Sequence, residues 1–292
     1  MKWFFFMAGI VTCLMSLFSC SVDPEDKGEG ILTHTKISVM SFNIRLDGDT
    51  ASNSWDNRKN GCLAMIGSVK PDLIGMQEVT PVQKNWLDNH LTDYKSLGKA
   101  RDGSGEDTEY SLIFYRTDRF TLLENSTFWL SATPDFMSKG WDGACYRICT
   151  YAKLQCKESS NTFYFFNTHI DHKGTTAQKQ GLLLIRERMD KIAGNQAVVF
   201  LTGDFNMQPS NANIIDFGSY MENLREKFSS GEDYSTGTYN NWGKASTVID
   251  YIWYRNVSPV FYQVIDTPYA NIAYLSDHFP ILGEFELKIN DK

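Results

Sequence analysis

Six short polar clusters in this sequence carry side chains that can bind a metal ion, hold a phosphate or move a proton. In chain order they are Phe42-Asn43-Ile44-Arg45, Gln77-Glu78, Asn167-Thr168-His169, Gly203-Asp204-Phe205-Asn206, Ile249-Asp250-Tyr251 and Ser276-Asp277-His278-Phe279-Pro280. Hydrolysis of a phosphate ester needs an activated water, a cation for the anionic oxygens and donors for the charge of the transition state. Each cluster alone could be an ordinary turn, so only the whole set indicates this chemistry.

These clusters stand mostly where an apolar segment ends. Strands are predicted over Ile37–Ile44, Asp72–Gln77, Tyr110–Tyr115, Ile148–Cys156, Thr162–Thr168, Ala197–Thr202, Val248–Tyr254 and Ile281–Leu287. Helices are predicted from Trp55 to Val69, after a Thr80 cap with Pro81 at the first position, and over Thr176–Ile192. The alternation of strand and helix indicates an α/β layer fold, in which loops at strand ends commonly carry the chemistry.

In this order, the clusters resemble the endonuclease/exonuclease/phosphatase superfamily, also called DNase I-like, and the resemblance runs from Ile37 to Leu287. It implies an α/β fold class, a four-layer α/β sandwich in which two central mixed sheets are flanked by helices. It also implies a Mg²⁺-dependent hydrolase that cleaves a phosphate ester, either a phosphodiesterase or a phosphomonoesterase, with Mn²⁺ as an alternative cofactor.

The resemblance assigns metal binding to Asn43, Glu78 and Asp277. Glu78 follows an apolar strand and would be the principal ligand, because Mg²⁺ usually takes one or two carboxylates from a protein. Asn43 would hold the metal or its water, and Asp277 would lie on the metal side or behind it. In isolation, Glu78 could also be a helix-capping or surface residue.

Proton transfer is assigned to His278, with Asp250 orienting its ring, because an unperturbed histidine titrates near working pH. Asp204 and Asn206 match the family's pair that positions the nucleophile and the oxygens of the transition state. His169 would lie opposite and donate a proton or bind a nonbridging phosphate oxygen. In the DNase I branch this histidine has a glutamate partner. Glu109 is the expected counterpart, and Glu106 is close enough in sequence to compete.

Three residues are candidates for substrate contact. Arg147 could clamp a phosphate because a guanidinium binds it through two hydrogen bonds, although a salt bridge to Asp142 is an equal alternative. Asp171 and His172 extend the third cluster and could contact the leaving group. Stacking on a base or sugar is a minority interpretation of three tryptophans, Trp129, Trp141 and Trp242.

Residues 1–20 have the features of an export signal that ends at a cysteine. The apolar run from Trp3 to Phe18 falls short of the roughly 20 residues that a membrane-spanning helix needs. Leu17-Phe18-Ser19-Cys20 resembles a bacterial lipobox, which implies acylation of Cys20 and an exported protein anchored in the cell envelope, on its periplasmic or outer-membrane surface. A plain export signal with an incidental cysteine is the alternative. Residues 21–31 are predicted to be a flexible tether and residues 32–290 a single endonuclease/exonuclease/phosphatase domain.

Four cysteines lie in the predicted domain, Cys62, Cys145, Cys149 and Cys156. So few cysteines in so large a domain do not make a disulfide scaffold, although one disulfide stays open with unspecified partners. Cys145 and Cys149 have a loose metal-like spacing. Because no second cluster of cysteine or histidine accompanies them, a zinc site is not predicted.

The charge balance disfavours a nucleic-acid partner. The chain has 28 Lys and Arg against 35 Asp and Glu, a net charge of −7, and no dense basic run. Because nucleic-acid-binding surfaces are usually basic, a non-specific nuclease is the less favoured hypothesis. The expected substrate is a phosphorylated small molecule, a lipid head group or a nucleotide. A catalytically inactive surface-binding lipoprotein is the other alternative, although Glu78, Asp250 and His278 are all present. The protein is expected to be a monomer.

Overall fold

Two six-stranded β-sheets form the centre of the fold in the computed structural model, which describes residues 34–103, 108–231 and 234–288. The predicted signal and tether, Cys20 and Glu106 lie outside the described residues. The strands are β1 His34–Asn43, β2 Leu73–Val79, β3 Tyr94–Leu97, β4 Tyr110–Arg116, β5 Phe120–Trp129, β6 Ile148–Cys156, β7 Thr162–His169, β8 Val198–Asp204, β9 Glu222–Asn223, β10 Asp250–Arg255, β11 Ser258–Val264 and β12 Ile281–Lys288. The helices are α1 Trp55–Val69, α2 Pro81–His90, α3 Thr175–Ala193, α4 Ala212–Phe217 and α5 Leu224–Lys227.

Both sheets are mixed. The first has the order β11-β12-β1-β2-β4-β3 and the second the order β5-β6-β7-β8-β10-β9. In the first sheet β1 runs parallel to β2, and in the second β7 runs parallel to β8, while the other neighbours are antiparallel. The carboxyl ends of each parallel pair therefore lie at one edge of their sheet.

Three apolar clusters hold the layers together. One joins the two sheets and includes Ile37, Phe200 and Phe285, with the last two rings 4.8 Å apart. A second packs α1 and α2 on the first sheet, and a third packs α3 and α4 on the second sheet. The layers therefore run helices, sheet, sheet, helices, which confirms the predicted four-layer α/β sandwich.

Helix α2 begins just beyond the second polar cluster because Thr80 caps it. The Thr80 hydroxyl accepts from the backbone N–H of Gln83, and the Gln83 side chain accepts from the backbone N–H of Thr80. Pro81 occupies the first helical turn, as predicted. This reciprocal cap fixes where the chain turns after Glu78, so it also limits the positions that Glu78 can take.

Four strands were not predicted from the sequence, namely β3, β5, β9 and β11. They are the outer strands of the two sheets within the described residues. The short helices α4 and α5 were also missed. Within the same residues, no helix combines the length and the apolar character that a membrane span requires.

The two sheets approach closely beneath the carboxyl ends of their parallel strands. The Gln77 amide donates to Asn167 Oδ1 at 2.7 Å, and the Thr202 hydroxyl donates to the same oxygen at 3.0 Å. Gly75 faces this contact, where a Cβ atom would lie 1.9 Å from Thr202 Oγ1. These buried hydrogen bonds fix the spacing of the strands that carry the polar clusters.

Candidate active site

The polar clusters meet at a cavity of about 510 Å³, at the edge of the sheets where the parallel strands have their carboxyl ends. Nine of the predicted residues line it, namely Glu78, Glu109, Arg147, His169, His172, Asp204, Asn206, Asp277 and His278. Asn43, Asp171 and Asp250 are buried behind this lining. Arg45, Arg101 and Tyr239 also line the cavity and were not predicted as site residues.

An acidic centre forms where β1, β2 and β8 end. The Asn43 amide donates to Glu78 Oε1 at 3.0 Å and to Asp204 Oδ2 at 2.9 Å. Burial raises the pKa of Glu78, but the hydrogen bond from Asn43 and the positive charges of His278 and Arg45 outweigh it and leave that pKa below its ordinary value. Glu78 is therefore an ionised carboxylate at neutral pH.

His278 lies between two carboxylates. Its Nδ1 is 2.8 Å from Asp250 Oδ2, and its Nε2 is 3.7 Å from Asp204 Oδ2. Burial lowers the pKa of His278, but the charges of Asp250 and Asp204 raise it to about 10. Burial and the neighbouring Asp250 carboxylate raise the pKa of Asp204 to about 7. A cation bound at the acidic centre would lower both pKa values. The Tyr239 ring packs edge-on against the imidazole, 5.0 Å between centroids.

The second histidine, His169, faces the same aspartate from the end of β7. Its Nε2 lies 3.0 Å from the Asn206 amide nitrogen and 3.4 Å from Asp204 Oδ2, while its buried Nδ1 has no hydrogen-bond partner. Burial and the charge of Arg147 hold the pKa of His169 well below its ordinary value. This imidazole is therefore neutral at neutral pH.

The predicted pairing of Glu109 with His169 is absent from this structure. Glu109 Oε2 instead pairs with Arg101 Nη1 at 2.7 Å, and Glu109 and Arg101 are also joined through their backbones. Burial raises the pKa of Glu109, as does the charge of Glu78. Arg101 has no place in any of the six clusters, so nothing in the sequence pattern marked it as a competing partner.

Asp171 lies under the cavity wall and organises the loop between β7 and α3. Its carboxylate accepts backbone N–H groups from Cys145 at 3.1 Å, Lys173 at 2.9 Å and Gly174 at 2.8 Å. Burial raises the pKa of Asp171, but the N–H groups of Gly174 and Lys173 bring it down to about 2. Its oxygens are thus committed to the loop, whereas contact with a leaving group was expected.

Arg147 forms part of the cavity wall, with Nη2 3.3 Å from His172 Nδ1 and Nε 3.9 Å from Asp171 Oδ2. The alternative salt bridge to Asp142 is wrong, because the Asp142 carboxylate accepts from the backbone N–H of Ala177 at 2.7 Å at the start of α3. Arg147 Nε is buried without a hydrogen-bond partner. That nitrogen faces Asp171 and is closed to a ligand in the cavity.

The three tryptophans considered for stacking take different positions. Trp129 is buried and its indole N–H donates to the backbone of Arg101 at 2.7 Å. Trp242 lies over the guanidinium of Arg58. Trp141 is 39% exposed, so of the three it alone presents a large free surface.

A hard divalent cation fits the acidic centre. Glu78, His169 and Asp204 each offer a ligand atom, and these atoms lie within 4.8 Å of one another. Carboxylate oxygens are ligands that Mg²⁺ and Mn²⁺ prefer. Glu78 and Asp204 supply them, and the Asn43 amide nitrogen bridges the two carboxylates. Cys145, Asp171 and His172 are also that close together, but Asp171 is saturated by backbone donors and Arg147 adjoins the group.

Backbone strain occurs around the cation site, at three of the twelve described non-glycine residues that have positive φ. Arg45, Glu78 and Asn206 all have φ in the left-handed region, at 59°, 60° and 52°. Residues with a Cβ avoid this region unless their surroundings enforce it, and such strain commonly accompanies function. Here Asn43 Oδ1 accepts the N–H of Arg45 at 3.0 Å, and Asp204 Oδ1 accepts the N–H of Asn206 at 2.8 Å.

Comparison with known proteins gives a family and several similar structures. A model of the Endonuclease/Exonuclease/phosphatase family matches residues 40–278. The chain is similar to an endonuclease/exonuclease/phosphatase family protein of Bacteroides thetaiotaomicron, with 31% identity and a TM-score of 0.79 over 88% of this chain and 100% of the other. It is also similar to a mannosyl-6-phosphatase of that bacterium, with 30% identity and a TM-score of 0.77 over 85% and 99%. Human nocturnin is 24% identical over 87% of this chain, which spans only 66% of nocturnin.

Proposed function

The chain belongs to the endonuclease/exonuclease/phosphatase family, whose members are hydrolases that act on phosphate esters, and from that premise we propose that it is a Mg²⁺-dependent phosphomonoesterase with a small substrate. The observation that carries the proposal is the acidic centre, where Asn43 bridges Glu78 and Asp204. Two histidines flank this centre, His169 with a lowered pKa and His278 with a raised pKa. Such a centre combines ligands for a hard cation with groups that can hold a phosphate and move protons.

Glu78 and Asp204 would hold the cation, with the Asn43 amide bridging them and Asp277 close by. When bound, a divalent cation neutralises phosphate oxygens and lowers the pKa of a nearby water. Arg45 forms ion pairs with two of these carboxylates, because its guanidinium lies 3.6 Å from Glu78 and 3.9 Å from Asp277. It therefore limits the spread of these carboxylates before a cation arrives.

The two histidines would bind the phosphate and transfer protons. His278, backed by Asp250 at 2.8 Å, is protonated at neutral pH and is placed to stabilise charge on the phosphate. It would take a proton from the attacking water only once a bound cation lowers its pKa. His169 and Asn206 face the other side of Asp204, where the Asn206 amide and the imidazole can bind nonbridging oxygens. Asp204 lies within 4 Å of both imidazoles and is therefore placed to orient the water between them.

A compact anionic substrate is favoured by the arginines of the cavity lining. Arg45, Arg101 and Arg147 all line the cavity and supply positive charge there. The similarity to a mannosyl-6-phosphatase supports a sugar phosphate or a similar phosphomonoester. The net charge of −7 disfavours long nucleic acid, whose binding depends on basic surface.

The experiment that tests this proposal is a substrate panel on the purified protein, with Mg²⁺ and with EDTA. It compares sugar 6-phosphates, nucleoside monophosphates, a nitrophenyl phosphodiester, phosphoinositide vesicles and single-stranded DNA. We expect the highest kcat/KM with a phosphomonoester and no turnover in EDTA. A higher value with DNA or with the diester would replace the phosphatase assignment by a nuclease or diesterase assignment.

We also propose that the protein is exported and anchored in the cell envelope through lipid on Cys20, on the strength of its lipobox-like sequence. Acylation should place the protein in the detergent phase of a membrane extraction. A Cys20→Ala variant should leave that phase. A mass spectrum showing an unmodified mature N-terminus beyond Cys20 would remove the anchor and leave the enzymatic proposal intact.

A further inference from the structure

Arg58 is a fully buried arginine that makes no ion pair with any described residue. It lies on α1, below the rim of the cavity, and 0% of its surface is exposed. Burying a charge without a carboxylate is costly unless hydrogen bonds satisfy it. Here the compensation comes from backbone carbonyl oxygens.

The guanidinium has five N–H donors and makes five hydrogen bonds. Its acceptors are all backbone oxygens, those of Ile44 at 2.6 Å, Arg45 at 3.0 Å, Leu46 at 3.2 Å, Asn53 at 2.7 Å and Leu275 at 2.9 Å. Three of the acceptors directly follow Asn43, and Leu275 is two residues before Asp277. One side chain thus ties together the two loops that present these proposed metal-site residues.

The same two loops are joined by a further bond, in which the Ser276 hydroxyl donates to the backbone of Asn43 at 2.7 Å. Another bond links the first loop to the end of β2, where the Leu46 N–H donates to Glu78 Oε2 at 3.3 Å. The strained backbone of Arg45 lies in the middle of the segment that Arg58 holds. Release of that segment would let Arg45 relax and would move the carboxylate ligands relative to one another.

Two indole rings cover the guanidinium. Trp55 and Trp242 lie 5.5 Å and 5.6 Å from its central carbon. The segment before Trp242 is itself bound to the site, because the N–H groups of Asn240 and Asn241 donate to the backbone of Asp277 at 2.8 and 3.0 Å. The rings keep water from competing for the carbonyl oxygens and add cation–π attraction.

We propose that Arg58 is a positioning residue that holds the Asn43 and Asp277 loops at the spacing needed to bind a divalent cation. A lysine would keep the charge, but its ammonium has three donors and cannot span five acceptors in a plane. Arg58→Lys should therefore weaken cation binding by about 10- to 100-fold, the usual effect of removing a group that orients metal ligands. The KM for substrate at saturating metal should change little.

The test measures Mn²⁺ binding to the full-length protein by electron paramagnetic resonance, together with the Mg²⁺ concentration that half-activates turnover. Arg225→Lys is the matched control, because Arg225 is also buried against two aromatic rings and donates to Tyr262 Oη at 3.1 Å, but on α5 and outside the cavity lining. The control should lower the unfolding temperature and leave Mn²⁺ affinity unchanged. Arg58→Lys should lower both.

Equal Mn²⁺ affinity in wild type and Arg58→Lys would overturn the positioning role, as would an equal loss in the Arg225→Lys control. If Arg58→Lys does not fold, Trp242→Leu removes one covering ring and should weaken Mn²⁺ binding in the same direction, and unchanged binding would count against the proposal. The inference rests on the proposed metal-dependent function, and the two fail differently. Wild type that binds no Mn²⁺ would refute the function, whereas intact wild-type binding with an unaffected variant refutes only the role of Arg58.

Discussion

Among single residues, the contact with the clearest kinetic consequence joins His278 Nδ1 to Asp250 Oδ2 at 2.8 Å. If the two residues act as one unit, His278→Ala should lower kcat by on the order of 10² to 10⁴, the usual contribution of a general acid or base. Asp250→Asn should reproduce most of that loss. The double variant should be hardly worse than either single variant, because the second substitution removes a partner that has already lost its function.

Steady-state kinetics of wild type, His278→Ala, Asp250→Asn and the double variant measure this coupling directly. Asp171→Asn is a useful comparison, since Asp171 is buried behind the lining but bound to backbone N–H groups of another loop. Additive losses for His278 and Asp250 would separate the pair. Asp204 would then become the first candidate for the group that accepts the proton.

Cation binding should depend on pH because Asp204 titrates near neutrality. Burial and the charge of Asp250 raise the pKa of Asp204 to about 7, so its carboxyl group is protonated and neutral below that pH and anionic above it. A cation is attracted by the anionic form. The affinity for Mg²⁺ should therefore rise as the pH increases from about 6 to about 8, and binding should release protons.

Titration calorimetry at three pH values, in buffers of different ionisation enthalpy, would measure both quantities. Asp204→Asn should remove most of the pH dependence, although it also weakens binding. An affinity that stays constant across this range, or proton uptake on binding, would show that Asp204 is not the titrating group.

The residue types of the site could be predicted because each cluster adjoins the end or the start of a strand whose apolar pattern is visible in the sequence. Their partners were harder to predict. Glu109 was expected beside His169 and lies 2.7 Å from Arg101, a residue of the β3–β4 connection. Arg58 lies in the segment from Trp55 to Val69, for which only a helix was predicted. Such contacts depend on loop conformation, which has no periodicity for the sequence to reveal.

At the level of secondary structure, the strands that could be predicted are the inner ones. The missed strands β3, β5, β9 and β11 are the outer strands of the two described sheets. An edge strand pairs on one side only and faces water, so its apolar alternation is diluted by polar residues. In β5 the stretch from Thr121 to Thr127 contains Glu, Asn, Ser and Thr and is largely exposed. The inner strands carry the site, so these omissions left the predicted site residues unaffected.

Gly75 on β2 should be sensitive to the smallest enlargement. A Cβ there would lie 1.9 Å from Thr202 Oγ1 and 2.5 Å from Asn167 Oδ1, where the two sheets meet under the active site. Gly75→Ala should therefore destabilise the protein by about 3 kcal/mol, at the upper end of the usual cost of overpacking. Urea unfolding measures the change.

Gly67→Ala is the matched control for that substitution. Gly67 lies on the exposed side of α1, where an added Cβ meets nothing within 4 Å. Because alanine favours a helix more than glycine does, this change should stabilise by about 0.5–1 kcal/mol. Similar effects of the two substitutions would contradict the close approach of the sheets.

At the level of the whole molecule, the relevant charges are those of the full chain and those of the cavity. The chain carries a net charge of −7, and in the cavity lining Arg45, Arg101 and Arg147 stand beside four carboxylates. An acidic surface repels a long polyanion, while the arginines and a bound cation attract a compact phosphate once it reaches the cavity. These charges support the proposed small substrate, whose binding would depend on the cation.

The most direct test of the proposed metal-dependent phosphoesterase activity is to measure how phosphomonoester hydrolysis by wild type and by Glu78→Gln depends on metal. Glutamine keeps the shape of the side chain but removes the charge that holds the cation. We expect wild type to turn over with Mg²⁺ and to stop in EDTA. Glu78→Gln should lose most of its turnover and recover part of it at high Mg²⁺ or with Mn²⁺. Full activity of either protein in EDTA would contradict a metal-dependent phosphoesterase.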